Sequence, residues 1–393
     1  SIMQKFPHKF VLLFDLPNII HIAQFSFFSR EKYMPNKIDN YLSAVVYIFI
    51  WKLYSLITKS LTEYVKTFYK IFTNTSKVHR RKLEAFLEEM GIDIFEFYKK
   101  HVQILYASEH YFKFGKEDFR KNLHSEYKNS YSRVALKQKY QAGRSEVYKA
   151  CSNLVKKLPF IYLEPLIESD TTLNLKLLEA DDTIAKYIVD NAEKDLATQY
   201  LIFSGDKDLH ILAVFKNVNI YNPIKKSFIK PIIFSSAEEE KAFLLDTYAK
   251  FLEKYIFGDA SDNIKSLFSI LNLKPKNKKS VVETCLNNTQ IKKENVSAEF
   301  YKKWCSNLDL FTKELKESIQ GLLDNKYEST IAEELNKRKY LFFPLYCSIP
   351  ELNYNLTTFN NFFISQEEFD SYLEKNFSIR KTPNLINLGE LDL

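Results

Sequence analysis

Residues 200–208 read YLIFSGDKD, four apolar residues followed by serine, glycine and two aspartates around a lysine. A short apolar run that ends at a glycine predicts a buried strand over residues 200–203. Residues 10–14 (FVLLF) show the same pattern and end at Asp15. Because helical spacing of apolar residues separates these runs, we predict an α/β fold with a central mixed, mostly parallel sheet flanked by helices.

Further elements follow from the same patterns on either side. Apolar runs predict strands over residues 102–107, 159–163, 218–221 and 227–233, and helical spacing predicts helices over residues 38–100 and 178–191. From about residue 240 the chain is lysine-rich, mostly helical in pattern and without a strand signal. We therefore predict an α/β region over residues 1–255, with a helical insertion at 35–100 and a basic segment at 110–150, and a helical C-terminal region over residues 256–393.

Composition excludes several classes of protein. The chain has 393 residues, a formal charge of +7 and four cysteines that form no CxxC pair. We therefore expect neither a zinc site nor a disulfide framework. We do expect a reducing, cytoplasmic location. The most apolar stretch, residues 41–51, is shorter than the roughly 20 residues that span a membrane. We expect a buried helix there, no signal peptide and no membrane partner.

Four acidic segments stand at the predicted ends of strands and helices. They are Asp15, EADD at 179–182, SGDKD at 204–208 and GDASDN at 258–263. Ligands of parallel sheets bind beyond the carboxyl ends of the strands, so Asp15 and Asp206 should lie close together. In the second and fourth segments, acidic residues three apart share one helix face.

So many carboxylates in one place remain ionised only when cations compensate their charge. A set of oxygen ligands without histidine or cysteine favours Mg²⁺ or Mn²⁺. Two such ions about 4 Å apart can activate a water molecule and stabilise the leaving oxygen of a phosphodiester. For any single segment the alternative is a solvated surface or an acidic helix N-terminus. Four segments at element ends instead predict one metal site.

The EADD, SGDKD and GDASDN segments, in this order after a strand that ends in Asp15, resemble the flap endonuclease and 5′–3′ exonuclease family. The resemblance covers residues 10–265 and is strongest to the phage-type 5′ nuclease (phage RNase H) that removes RNA primers. It implies a PIN-like 5′ nuclease fold with a helical arch over residues 110–150 and a duplex-binding helical C-terminal region.

The same resemblance implies functional residues. The implied ligands of two Mg²⁺ or Mn²⁺ ions are Asp15, Glu109, Glu179, Asp181, Asp182, Asp206, Asp208, Asp259 and Asp262. The implied catalytic residues are Asp15, Glu179, Asp181, Asp206 and Arg144. Arg144 would hold a phosphate in a bidentate manner.

The chain departs from the family pattern at three places. Glu109 stands where the family has an aspartate after its second strand, and Glu126 is the alternative. Gln141 replaces a lysine that faces the scissile phosphate, with Lys137 or Lys139 as possible substitutes. After Asp262 the glycines of the family hairpin are missing, which puts its K⁺ site in doubt.

Basic residues, among them Arg120 and Lys128, alternate with aromatics over residues 111–149, a pattern that suits binding of a single strand. A solvated basic helix is the alternative. Candidate nucleic-acid contacts are Arg133, Lys137, Lys139, Tyr140, Arg144, Lys265, Lys274 and Lys276.

The function expected is that of a structure-selective 5′ nuclease of DNA replication or repair, acting on branched or nicked DNA and on RNA–DNA hybrids. We expect a monomer, with a single-strand-binding protein or a sliding clamp as a further partner and residues 384–391 as a docking segment. One alternative is a DNA-structure-binding protein of the same fold with weak or no catalysis. Another is a compact RNA-cleaving nuclease of the toxin type.

Overall fold

The computed structural model describes ten ranges of the chain, which are residues 8–30, 41–69, 83–111, 119–128, 143–158, 163–167, 177–274, 277–348, 354–358 and 365–380. In these ranges, helices surround a five-stranded mixed sheet. Its strands, in spatial order, are β2 (Val102–Ala107), β1 (Lys9–Asp15), β6 (Thr198–Phe203), β7 (Val218–Asn222) and β8 (Ser227–Phe228). The first four are parallel to their neighbours and β8 is antiparallel to β7. The predicted α/β class with a mixed, mostly parallel sheet is confirmed.

Two short antiparallel pairs lie outside this sheet. They join β3 (His110–Tyr111) to β5 (Leu177–Leu178), and β4 (Leu163–Ile167) to β9 (Tyr354–Thr358). Of the strand predicted at 159–163, residues 159–162 lie outside the described ranges, and Leu163 is the first residue of β4. The expectation that no strand follows residue 240 was wrong, because β9 forms only by pairing with a segment almost 200 residues away.

The helices cover both faces of the sheet. Those before β6 are α1 (Leu16–Arg30), α2 (Tyr41–Tyr69), α3 (Leu83–Glu89), α4 (Ile94–His101), α5 (Phe119–Leu123), α6 (Arg144–Val155) and α7 (Ala180–Asn191). Those after it are α8 (Ala237–Phe257), α9 (Leu267–Ile270), α10 (Lys278–Asn288), α11 (Glu299–Ser306), α12 (Leu308–Gln320), α13 (Glu328–Phe342), α14 (Leu345–Ser348) and α15 (Gln366–Phe377). The predicted boundary at residue 255 falls two residues before the end of α8. Short 3₁₀ helices span Lys207–Val214, Ala260–Asp262 and Asn325–Tyr327.

Strand β1 shows how the sheet separates two apolar layers. Val11 and Leu13 point to a layer that includes α7, α8 and α10–α13. Leu12, together with Phe10 and Phe14, points to the opposite layer, built from α1–α4, α6 and α15. Alternation with period two places successive side chains on opposite faces, so a continuous apolar run is buried on both sides.

Helix α2 extends well beyond the apolar stretch at 41–51. Residues Tyr41–Phe68 are long and apolar enough to cross a membrane by composition, but 72% of the most apolar window is buried inside the protein. Even Lys52, which closes the predicted stretch, is only 7% exposed. The helix therefore belongs to the core, as the prediction of a buried helix required.

Candidate metal and phosphate site

Strands β1 and β6 are adjacent and parallel, so the residues after them meet at one edge of the sheet. The Ser204 hydroxyl donates to Asp15 Oδ2 at 2.6 Å and accepts from the Asp206 backbone N–H at 3.1 Å. The Gly205 N–H donates to Asn18 Oδ1 at 2.9 Å. These bonds place Asp15 and Asp206 side by side, as the parallel arrangement predicted.

The remaining acidic segments converge on the same edge. Carboxylate oxygens lie within 4.8 Å of one another in three groups, which are Glu179–Asp181–Asp182, Asp181–Asp206–Asp208 and Asp208–Asp259–Asp262. We refer below to two clusters. The first acidic cluster comprises Asp15, Glu109, Glu179, Asp181 and Asp206. The second acidic cluster comprises Asp208, Asp259 and Asp262, and Asp208 connects the two.

Glu109 follows β2, on the other side of β1. Its carboxyl interacts electrostatically with Glu179 and Asp15, and also with Arg144. Loss of water around the carboxyl raises its pKa even though the residue lies at the exposed rim, and the neighbouring acids raise it further. The alternative, Glu126, is exposed, and its backbone carbonyl accepts from the Asn263 amide at 3.1 Å. Glu109 thus interacts with the acidic residues at this edge of the sheet, and its role as a metal ligand stays a prediction.

Burial and crowding raise the pKa of several carboxyls in the first acidic cluster. Burial, only partly opposed by hydrogen bonds, raises the pKa of Asp15 to about 6. Burial and a neighbouring carboxylate raise the pKa of Asp206 to about 7. Burial and three acidic neighbours raise the pKa of Asp181 as well. Negative charge is therefore in excess here, and a divalent cation would relieve it.

Glu179 is the exception in this cluster. Burial alone would raise its pKa, but Lys128 and Arg120 outweigh that effect and hold the pKa low. Lys128 Nζ lies 2.7 Å from Glu179 Oε1, and Arg120 Nη1 lies 3.0 Å from Glu179 Oε2. Glu179 is thus kept ionised by two cations of the chain itself.

Both carboxylate oxygens of Asp182 accept hydrogen bonds from the protein. Its Oδ1 accepts from Arg120 Nη2 at 2.8 Å and from the Leu345 N–H at 3.0 Å. Its Oδ2 accepts from Arg120 Nη1 and from the Glu179 N–H, both at 3.1 Å. Four donors occupy both oxygens, which leaves no lone pair for a metal ion. Asp182 therefore caps α7 and orients Arg120, and a metal ion would bind its carboxylate only by displacing one of these donors; its predicted role as a metal ligand stays a prediction.

Arg120 corrects an expectation. The sequence pattern placed it among residues expected to bind a single strand of nucleic acid, but the residue is buried, at 4% exposure. Besides Asp182 and Glu179, it donates to two backbone carbonyls near the end of α13. All N–H groups of this guanidinium donate to protein acceptors, so it cannot bind a nucleic acid. It connects the acidic site to the C-terminal helices instead.

The second acidic cluster contains its own cation, Lys254. Its ammonium forms ion pairs with Asp208 and with Asp259, the latter at 3.0 Å. Burial alone would lower the pKa of Lys254, but the two carboxylates outweigh it and raise the pKa. The other Asp259 oxygen accepts from the N–H and the hydroxyl of Ser261, at 2.9 and 2.6 Å.

A tight loop holds this cluster in place. Asp259 and Ile264 exchange backbone hydrogen bonds of 2.9 Å in both directions. Gly258, which precedes them, has φ +82°, and a Cβ there would lie 2.2 Å from the Ile264 carbonyl oxygen. Only glycine fits this close approach and this conformation.

Residues 119–128 attach that loop to the first acidic cluster. The Lys128 N–H donates to the Asp262 carbonyl at 2.9 Å, and His124 Nε2 donates to the Asn263 carbonyl at 3.1 Å. The Asn263 amide in turn donates to the Glu126 carbonyl. The same short segment thus supplies Arg120 and Lys128 to one cluster and fixes the backbone of the other.

The predicted nucleic-acid contacts are only partly visible. Arg144 is exposed at the start of α6, and Lys265 and Lys274 are exposed beyond the second acidic cluster. Outside the described ranges lie Arg133, Lys137, Lys139, Tyr140, Gln141, Lys276 and the segment 384–391. Their contacts stay predictions, as does the arch to which the first five belong.

Three site residues were not identified from sequence as parts of the acidic site: Arg120, Lys128 and Lys254. Arg120 pairs with acids 59 and 62 positions away, and Lys254 with an acid 46 positions away. One local signal existed for Lys254, because it lies five residues before Asp259 near the end of a helix.

No family model matches the chain, and a search of curated proteins returns no match.

Proposed function

We propose that this protein is a divalent-cation-dependent 5′ nuclease with a PIN-like fold, which hydrolyses phosphodiesters in branched or nicked DNA and in RNA–DNA hybrids. The observation that carries the proposal is the convergence of four acidic segments, distant in sequence, at the carboxyl edge of one sheet. Resemblance of the same segments to the flap endonuclease and 5′–3′ exonuclease family supports the reaction class. Replication or repair is the process in which such substrates arise.

The chemistry of the donors supports Mg²⁺ or Mn²⁺. Carboxylate oxygens of Asp181 and Asp206 lie together, with Asp15 and Glu179 beside them. Hard divalent cations prefer such oxygens, and their charge favours ionisation of carboxyls whose pKa burial has raised. When bound, the cation would lower the pKa of a water molecule and neutralise charge on the phosphate.

Residues of the chain would hold the phosphate. Arg144 is exposed at the N-terminus of α6 and interacts electrostatically with Glu109 at the rim of the first acidic cluster. A guanidinium at that rim can donate two parallel hydrogen bonds to a phosphate. Lys265 and Lys274 provide positive charge for a duplex on the side of the second acidic cluster.

The test is cleavage of a 5′-labelled flap duplex by the full chain with Mg²⁺, beside an EDTA control. Asp181→Asn should abolish cleavage, since it removes a carboxylate shared by two of the acidic groups. The matched control is Asp246→Asn, which neutralises an exposed aspartate paired with Lys250 on α8, and it should cleave normally.

Two results would contradict the proposal. Cleavage that persists in EDTA would exclude a dependence on divalent cations. Structure-selective binding without cleavage in Mg²⁺ or Mn²⁺ would instead support the alternative, a DNA-structure-binding protein of the same fold.

A further inference from the structure

The position of Lys254 in the second acidic cluster is not explained by the proposed function. In a site for two cations, a lysine between Asp208 and Asp259 would compete with one of them. Its ammonium contacts a carboxylate of each residue and stands where a cation would be expected. The question is whether the protein holds the Lys254 side chain at a fixed position in the site.

Three observations show that the surrounding structure fixes the position of Lys254. Its backbone lies in the last turn of α8, where the Gly258 N–H donates to the Lys254 carbonyl at 2.9 Å. The next two carbonyls, those of Tyr255 and Ile256, accept from Nη1 of the buried Arg338 at 2.6 and 3.1 Å. Its side chain is 25% exposed, so most of it is enclosed by protein.

The arrangement around Asp259 is also complete. Lys254 occupies Oδ2, while the N–H and the hydroxyl of Ser261 both donate to Oδ1. A divalent cation at Asp259 would have to displace the ammonium from a carboxylate whose other oxygen already has two donors. Removing a partly buried ion pair in this way is unfavourable unless another acceptor receives the lysine.

The first acidic cluster offers a contrast. The cluster has five carboxylates, and Lys128 and Arg120 both form ion pairs with one of them, Glu179. The second acidic cluster has three carboxylates and receives Lys254 between two of them. Most of the uncompensated negative charge is therefore in the first.

We propose that Lys254 takes the place of a second cation, so that the protein binds one divalent ion, in the first acidic cluster, while the second acidic cluster is neutralised by this lysine. The inference rests on the proposed function, and it replaces the expectation of two ions. Lys254 acts here as a positioning residue, which holds Asp208 and Asp259 and supplies one positive charge to the second acidic cluster. An ammonium cannot activate water as a divalent cation does, so activation belongs to the first cluster.

The experiment counts bound ions. EDTA-treated and dialysed full-length protein is titrated with Mn²⁺ alone, and the stoichiometry is measured by calorimetry and by the loss of the free Mn²⁺ resonance signal. We expect one ion per chain for the wild type and two for Lys254→Met, in which Asp208, Asp259 and Asp262 are no longer neutralised. Lys250→Met, one turn earlier on α8 and exposed, is the matched control and should bind one ion.

Each outcome decides between the two proposals. Two ions in the wild type, or one ion in a folded Lys254→Met protein, would overturn the inference and leave the nuclease proposal intact. No bound ion in the wild type would overturn the proposed function and this inference with it.

A second variant covers the case in which Lys254→Met does not fold. Asp259→Asn should still bind one Mn²⁺ with an affinity within about twofold of the wild type, because that aspartate holds lysine and not metal. A loss of one of two ions in Asp259→Asn would show that the second acidic cluster binds a cation after all.

Discussion

The first and second acidic clusters contain the same chemical groups but differ in how their charge is compensated. In the first, burial raises the pKa of Asp15 and of Asp206, to about 6 and about 7. In the second, burial would also raise the pKa of Asp259, but Ser261 and Lys254 outweigh it and the pKa is lowered. The first cluster has five carboxylates, and its ion pairs with Lys128 and Arg120 involve only Glu179. The difference teaches that a concentration of carboxylates indicates a metal site only where its negative charge exceeds the positive charge that the protein itself supplies.

The largest expected effect is a difference in nuclease activity between variants of the two clusters. Asp206→Asn should reduce flap cleavage by about 10³-fold or more, which corresponds to ~4 kcal/mol of transition-state stabilisation. Asp259→Asn should reduce it by only about tenfold, since that residue positions Lys254. Single-turnover rates at saturating Mg²⁺ measure both. Equal losses in the two variants would remove the functional distinction between the clusters.

The next effect concerns the anchor of the first acidic cluster. Arg120→Met should lower the free energy of unfolding by ~3–5 kcal/mol, because it leaves Asp182 and Glu179 buried without their shared cation. Urea denaturation measures this, with the exposed neighbour Lys121→Met as control. If Arg120→Met cost as little as Lys121→Met, the guanidinium would not be what holds this cluster together.

The second acidic cluster depends instead on its backbone. Gly258→Ala should lower the free energy of unfolding by ~3 kcal/mol or more, since the new methyl would overlap the Ile264 carbonyl and φ is positive. Gly91→Ala is the matched control, because Gly91 has φ +70° with nothing within 4 Å of an added Cβ. It should cost only about 1 kcal/mol. Similar losses in both would show that conformation and not the close contact requires Gly258.

The smallest expected effect is on the pH dependence of stability. The pKa of Asp206 is raised from 3.8 to about 7, so the folded protein holds this proton more tightly than the unfolded chain does. Between about pH 4 and pH 7, ionisation of Asp206 therefore makes the folded state less stable as the pH rises. Relative to the wild type, Asp206→Asn should gain ~1–3 kcal/mol in free energy of unfolding between about pH 5 and about pH 8 in EDTA.

The second acidic cluster should show the opposite sign. Because the pKa of Asp259 is lowered, its ionised form stabilises the folded protein, and Asp259→Asn should lose stability relative to the wild type at neutral pH. The same urea series at several pH values measures both variants. Parallel pH profiles for the two would contradict the difference in charge compensation.

Much of the architecture could be read from local patterns. The apolar runs at 10–14, 102–107 and 200–203 are strands of the central sheet, and their parallel order places Asp15 and Asp206 at one edge. The strand β9 was missed, because it depends on pairing with the distant β4 and carries no strong alternation of its own.

The acidic segments were recognisable individually, but their roles were not. Asp182 has the same local context as Asp181, yet four donors fill its oxygens, three of them from distant parts of the chain. Arg120 and Lys128 look alike in a basic, aromatic segment, but one is buried and the other pairs at the edge of the site. Sequence patterns of charge do not distinguish a surface from an interior ion pair.

The sequence by itself determined the type of fold and the order in which carboxylates follow strands and helices, because hydrophobic periodicity and turn residues act over a few positions. Only the tertiary structure decided which carboxylates are compensated. Arg120, Lys128 and Lys254 each pair with a carboxylate that lies 46 to 62 positions away in the chain. Charge compensation depends on distance in space and on burial, and neither quantity is encoded in local spacing.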